Sequence, residues 1–191
     1  PEKYGGSGAG FLALALAVEE TAKHDNACSL ILLLSALSTQ PINLGGSEEQ
    51  KQEWLSKSAV GAIKGAFCLT EPNHGSDAAN LETRAVRAGD DYILNGEKMY
   101  ISGGTVADYV VAFARLDGTP GPKGISAFIV PTDTPGFRVA GTDRKMGVRG
   151  VPTADIVFED CRVPRENLIG GVEGAGFNHA MLTLNSCRPV V

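Results

Sequence analysis

At Gly65 the hydrophobic texture of this chain changes, and the change divides whatever it folds into. Before it, Phe11, Leu12, Leu14, Ala15 and Val18 recur at helical spacing, and Ala27 to Thr39 is apolar nearly all round. That is the pattern of one amphipathic helix followed by one buried between neighbours. After it, β-branched and aromatic residues alternate with polar ones in short runs bounded by glycine or proline: Gly65 to Leu69, Tyr92 to Leu94, Lys98 to Ile101, Val110 to Ala114, Ile125 to Val130 and Ala154 to Phe158. Alternation with period two marks strands. The expectation is an α+β chain: N-terminal α-helices over residues 1–64, an antiparallel β-barrel or sandwich as the middle domain over 65–170, and the start of a C-terminal helix over 171–191.

Local signals sharpen the outline. The first helix should end near His24-Asp25, and Pro41 is expected to stop the second, because proline removes a helix donor. Ser47-Glu48-Glu49-Gln50 has the form of a capping box opening a short charged helix through Trp54 and Leu55. Asn95-Gly96, between two apolar runs, predicts a tight hairpin turn. Glycines 170, 171, 174 and 176 mark a loop, and a helical pattern resumes at Phe177. It reaches Arg188-Pro189-Val190-Val191 without a capping signal, as if cut through a helix.

Composition narrows the function classes. With 43% hydrophobic and 20% charged residues the chain has the make-up of a soluble globular protein, not a disordered one. A net charge of −5 with no basic run argues against nucleic acid. Cys28, Cys68, Cys161 and Cys187 are far apart, and so are His24, His74 and His179, which suggests reduced thiols and no metal site. The apolar run around Leu30 to Leu34 reads as too short to span a bilayer, and no signal peptide is seen.

The stretch Leu69-Thr70-Glu71-Pro72-Asn73-His74-Gly75-Ser76-Asp77 ends an apolar strand in a polar loop, where binding residues concentrate. Taken alone it also describes an ordinary turn. Together with Pro1 to Gly6, Gly46 to Lys51, Leu94-Asn95-Gly96, Gly121 to Ser126, Lys145-Met146-Gly147, Phe158-Glu159-Asp160 and Val163-Pro164, however, it resembles the acyl-CoA dehydrogenases over nearly the whole chain.

That resemblance implies an N-terminal helical domain, a middle β domain and a C-terminal four-helix domain that is almost wholly outside these residues, with FAD held between the last two. By resemblance, Phe67, Cys68, Leu69, Thr70, Gly75 and Ser76 line the flavin, with Ser76 also facing acyl-CoA. Tyr100, Ile101 and Ser102 form a second flavin contact, an aromatic residue against the ring and a hydroxyl near its N5. Asn185 and Arg188 match substrate contacts, although a solvated helix end explains them nearly as well. His74 departs from the small residue common in the family and reads as a surface group.

The implied reaction is oxidation of an acyl-CoA thioester to the trans-2-enoyl-CoA, as in fatty-acid β-oxidation. A carboxylate takes the α-proton, the β-hydrogen leaves as hydride to the flavin, and electrons pass to an electron-transfer flavoprotein. Cys187 occupies a position where some relatives carry the catalytic glutamate, so the base is expected in the C-terminal part and no catalytic residue in this chain. The family also implies a homotetramer or homodimer, in bacterial cytoplasm or mitochondrial matrix, without nucleic acid or membrane. Alternatives on the same scaffold are an acyl-CoA oxidase, a related flavin monooxygenase, or a non-catalytic acyl-CoA or flavin binder.

Overall fold

Asp25 opens the longest helix by accepting hydrogen bonds from the backbone of Ala27 (2.6 Å) and Cys28 (3.1 Å). In the computed structural model, which describes residues 1–191, this helix, α2, runs Asn26–Gly45 and packs against α1 (Gly10–Ala22). It does not stop at Pro41, which sits inside it. Leu33, Ser38, Pro41 and Ile42 share its buried face, and packing there outweighs the backbone bond that proline forfeits. By length and composition α2 could cross a membrane. Here it packs one face against β1 and the C-terminal helix, while Ile31, Leu32 and Leu44 stay exposed, so it is not enclosed on all sides as its all-round apolarity predicts.

The capping box forms as its residues predict: Gln50 N–H donates to Ser47 Oγ (3.3 Å) and Ser47 N–H to Gln50 Oε1 (3.0 Å). The helix it opens is composite, with α3 (Glu48–Gln50), a π-helical stretch (Lys51–Leu55) and α4 (Ser56–Ala59). A π-helical turn is a local widening of an α-helix. Here it lets Trp54 lean on Tyr109, with ring centroids 5.0 Å apart.

Seven strands then make one curled sheet: β1 (Gly65–Cys68), β2 (Arg84–Ala88), β3 (Asp91–Ser102), β4 (Tyr109–Leu116), β5 (Ile125–Pro131), β6 (Phe137–Thr142) and β7 (Thr153–Val163). Their order is β1-β4-β2-β3-β7-β6, with β5 also paired to β4. The β2–β3, β3–β7, β4–β5 and β6–β7 pairs are antiparallel, whereas β1 and β2 both run parallel to β4. The chain closes with α5 (Gly176–Cys187) against α2 and β5.

β4 and β5 are buried on both faces, and their alternation assigns each face a core. Val110, Ala112, Ala114, Phe128 and Val130 point into the curl of the sheet with Leu94, Ile101 and Phe158. Tyr109, Val111, Phe113, Ile125 and Ile129 point the other way, onto Ile42, Leu55 and Ala180 of the helices. Gly65 allows α2 to approach, because a Cβ there would stand 2.4 Å from the Tyr109 ring and 2.8 Å from Ser38 Cβ.

Asn95-Gly96 is not at a hairpin tip. Both residues lie within β3, and the β2–β3 turn is Gly89-Asp90, with Ala88 paired to Asp91. Gly96 answers a different need: a Cβ on it would fall 2.7 Å from Thr83 Cα at the entrance to β2. Asn95 instead holds a bulge in β7, its Oδ1 accepting from Asp160 N–H (2.8 Å).

Candidate functional site

β1 ends at Cys68, and the chain turns out through Leu69 and Thr70 beside the middle of β3. Thr70 O accepts from Met99 N–H at 2.8 Å, which joins the loop to the strand backbone to backbone. One residue later the strand breaks its alternation. Between Lys98 and Ile101 the pairing with β7 carries one extra residue, and Tyr100 takes a left-handed φ of +59°. A non-glycine residue there costs about 1–2 kcal/mol.

The bulge has a visible result. Lys98 and Tyr100, two apart on a strand, would ordinarily share a face. Instead Lys98 is 1% exposed and Tyr100 62% exposed. The bulge leaves an aromatic ring outward-facing, a surface on which a flat ligand can stack.

Beneath this wall lies a buried ion pair that the sequence reading missed. Lys98 Nζ donates to Glu71 Oε1 (2.8 Å), Leu69 O (3.1 Å) and Phe113 O (2.6 Å). The Glu71 carboxylate also accepts from the backbone N–H groups of Glu82 and Thr83, so it closes the 71–83 loop on itself. Burial pushes the Glu71 carboxyl up, but Lys98 and these N–H donors outweigh it and hold it below the usual carboxylate range. Burial pulls the Lys98 ammonium down, with Glu71 offsetting part of that. The signal was present in the sequence, since Lys98 is in phase with buried Tyr92 and Leu94 of the same strand.

Of the predicted flavin residues, Tyr100, Gly75 and Ser76 are exposed, and Thr70, Phe67 and Ser102 are half-buried. Cys68, Leu69 and Ile101 are buried in the two cores, which leaves only their backbone for a ligand. Burial pushes the Cys68 thiol up to about 12. Asn185 and Arg188 are exposed at the end of α5, a helix that packs on α2, and no hydrogen bond links them to the loop after β1. His74 is not a surface group: its side chain is 17% exposed, with Nε2 3.3 Å from Glu82 Oε1.

Glu71, His74 and Glu82 each place a potential ligand atom within 4.8 Å of the others. The His74 and Glu82 side chains approach each other and do not reach Lys98, while the Glu71 oxygens are already engaged by Lys98 and by two backbone donors. The same bonds remove Glu71 as a proton acceptor. An open cleft lined by Asn80, Glu82, Arg84, Arg115 and Gly121 holds none of the predicted residues. The Arg115 guanidinium is itself engaged by the carbonyls of Ala79, Leu81 and Gly121.

Comparison with known proteins decides the lineage. The profile of the acyl-CoA dehydrogenase middle domain matches residues 66–161, and that of the acyl-CoA dehydrogenase N-terminal domain matches residues 1–62. The chain belongs to the acyl-CoA dehydrogenase family. A short-chain-specific acyl-CoA dehydrogenase of Clostridium acetobutylicum is 45% identical over 98% of this chain and 49% of its own length. A solved structure described as an electron transferring flavoprotein of Acidaminococcus fermentans contains a chain that superposes with a TM-score of 0.95. That chain is 48% identical, and the match covers all of this chain and 50% of the other. A glutaryl-CoA dehydrogenase from Mycobacterium smegmatis, solved in complex with FADH2, matches at a TM-score of 0.89 and 37% identity, over 98% of this chain and 47% of its own. The chain spans about half the length of the curated relatives it matches. Membership of the family implies a flavin cofactor.

Proposed function

We propose that these residues supply the N-terminal helices and the β-domain wall of an FAD-dependent acyl-CoA dehydrogenase that converts an acyl-CoA thioester to its trans-2-enoyl product. The observation that carries this reading is Tyr100, held outward in a left-handed conformation on a bulge whose backbone is bonded to Thr70. The residue types here support a flavin ring as the ligand. The Tyr100 ring and the half-buried Phe67 offer apolar surface, while Thr70 and Ser102 offer hydroxyls for the polar edge.

When bound, FAD would supply the two-electron acceptor for the β-hydrogen. The chain's own part is to hold the ring, to present Ser76 toward the acyl-CoA, and to keep the loop after β1 in one shape. The α-proton needs a base that this wall does not provide. Glu71 is bound to Lys98, and burial pushes the Cys187 thiol up, so it stays protonated. We assign the base to the C-terminal half that the family's full-length members carry, along with the remaining flavin contacts, the electron-transfer flavoprotein as electron acceptor and a homo-oligomeric state.

The test is anaerobic flavin bleaching. The polypeptide completed with a C-terminal half should hold FAD and bleach on addition of an acyl-CoA, while the 191-residue chain with added FAD should not. Bleaching by the chain alone would place the base within these residues. A completed polypeptide that binds no flavin would overturn the proposal.

A further inference from the structure

The Glu71–Lys98 pair flanks the Thr70–Met99 backbone bond that joins the two stretches, Glu71 following Thr70 and Lys98 preceding Met99. The ammonium has three protons. They go to three different segments: Leu69 O at the end of β1, Glu71 Oε1 in the loop, and Phe113 O in β4. Leu69 and Glu71 flank Thr70 on either side. Lys98 itself lies two residues before Tyr100, at the inward side of the bulge that turns that ring out.

We propose that Lys98 and Glu71 act as a positioning pair, which sets the Thr70–Ser76 loop and the Tyr100–Ser102 stretch at a fixed separation before a ligand arrives. The proposal rests on the flavin reading above. Stability alone does not account for the pair, because an apolar pair of equal volume commonly matches or exceeds a buried ion pair in stability. Direction does account for it. Side chains 0% and 3% exposed fix three oxygen positions around one nitrogen, and the Glu71 carboxylate passes that constraint to Glu82 and Thr83 at the far end of the loop. Apolar packing cannot set the height of a loop above a strand in this way, since it carries no directional bonds.

The test compares the parent with the double variant Glu71→Gln/Lys98→Met, which removes both charges together and so leaves no unpaired buried ion. Amide hydrogen exchange is read in the 191-residue chain, and FAD affinity by flavin fluorescence in the polypeptide completed with a C-terminal half. Expected are unchanged protection of Val110 to Ala114, exchange about a hundredfold faster at Met99, Glu82 and Thr83, and FAD affinity weakened by about tenfold. If Met99 and Thr83 stay as protected as in the parent, or if protection falls while FAD affinity does not, the positioning role is overturned. A completed parent with no FAD-dependent signal would overturn the flavin reading itself, a result that the exchange data cannot produce.

Discussion

Replacing Gln50 by alanine should cost about 4 kcal/mol of stability, far more than a helix N-terminus usually commands. The side chain is 7% exposed and makes four hydrogen bonds. Nε2 donates to Glu166 O (2.6 Å) and Leu168 O (2.8 Å), while Oε1 accepts from Ser47 N–H (3.0 Å) and Gly170 N–H (2.9 Å). At about 1 kcal/mol each the four bonds sum to about 4. The one lost methylene adds ~0.8 kcal/mol, and water reaching the vacated backbone groups returns a similar amount. Urea unfolding is the assay. With a slope of about 2 kcal/mol per molar, the midpoint should fall by about 2 M. Gln50→Glu should be at least as damaging, because it sets a carboxylate against two carbonyl oxygens. Gln52→Ala, on the exposed face of the same helix, should stay within about 0.5 kcal/mol of the parent. A Gln50→Ala loss no larger than that of Gln52→Ala would refute the claim that this side chain straps the helices to the segment leading into α5.

Tyr100→Gly should leave the ligand-free chain within about 1 kcal/mol of the parent, since relief of ~1–2 kcal/mol of left-handed strain offsets glycine's entropy and the little area that ring buries. FAD affinity of the completed polypeptide should nevertheless fall by about tenfold, and calorimetry beside a flavin titration checks both halves. Phe113→Ala empties a fully buried position against Phe67 and should cost about 3–5 kcal/mol by denaturant unfolding. Stability should also fall on acidification in two stages. Burial depresses the His179 pKa, so its contribution is present above the unfolded value of about 6.5 and is lost as pH falls from there toward the folded value. The Glu71 carboxyl is likewise held low, so its contribution is lost below about pH 4.3. His179→Gln should abolish the first stage of a pH–melting profile and leave the second.

What the sequence made legible was what local chemistry decides. The Ser47–Gln50 capping box forms because all of its donors and acceptors lie within four residues. β4 and β5 were readable because Val110 to Ala114 and Ile125 to Val130 are short runs rich in β-branched and aromatic residues, as strands with both faces buried require. What failed was decided by distant partners. Asn95-Gly96 carries the chemistry of a turn, yet its glycine is there for Thr83, thirteen residues earlier in another segment. Pro41 carries a stop signal that the packing of Ile42 overrides. β6 went unread because it is a short, exposed edge strand whose residues 138–140 show no alternation in burial. At the site, the resemblance picked out Tyr100 and Thr70 by residue type. The bulge that turns one out and the buried pair behind both depend on register with β7 and on Phe113 of β4, which no short motif encodes.

The central claim is that the loop after β1 and the bulge of β3 form one flavin-facing wall. Amide chemical shifts followed in the isotope-labelled 191-residue chain during titration with FAD test it most directly, because they report weak binding residue by residue. The account predicts concentration-dependent shifts confined to residues 69–76 and 100–103, diminished in Tyr100→Gly. Shifts centred on the cleft around Arg84 and Arg115, or none anywhere at saturating FAD, would contradict it.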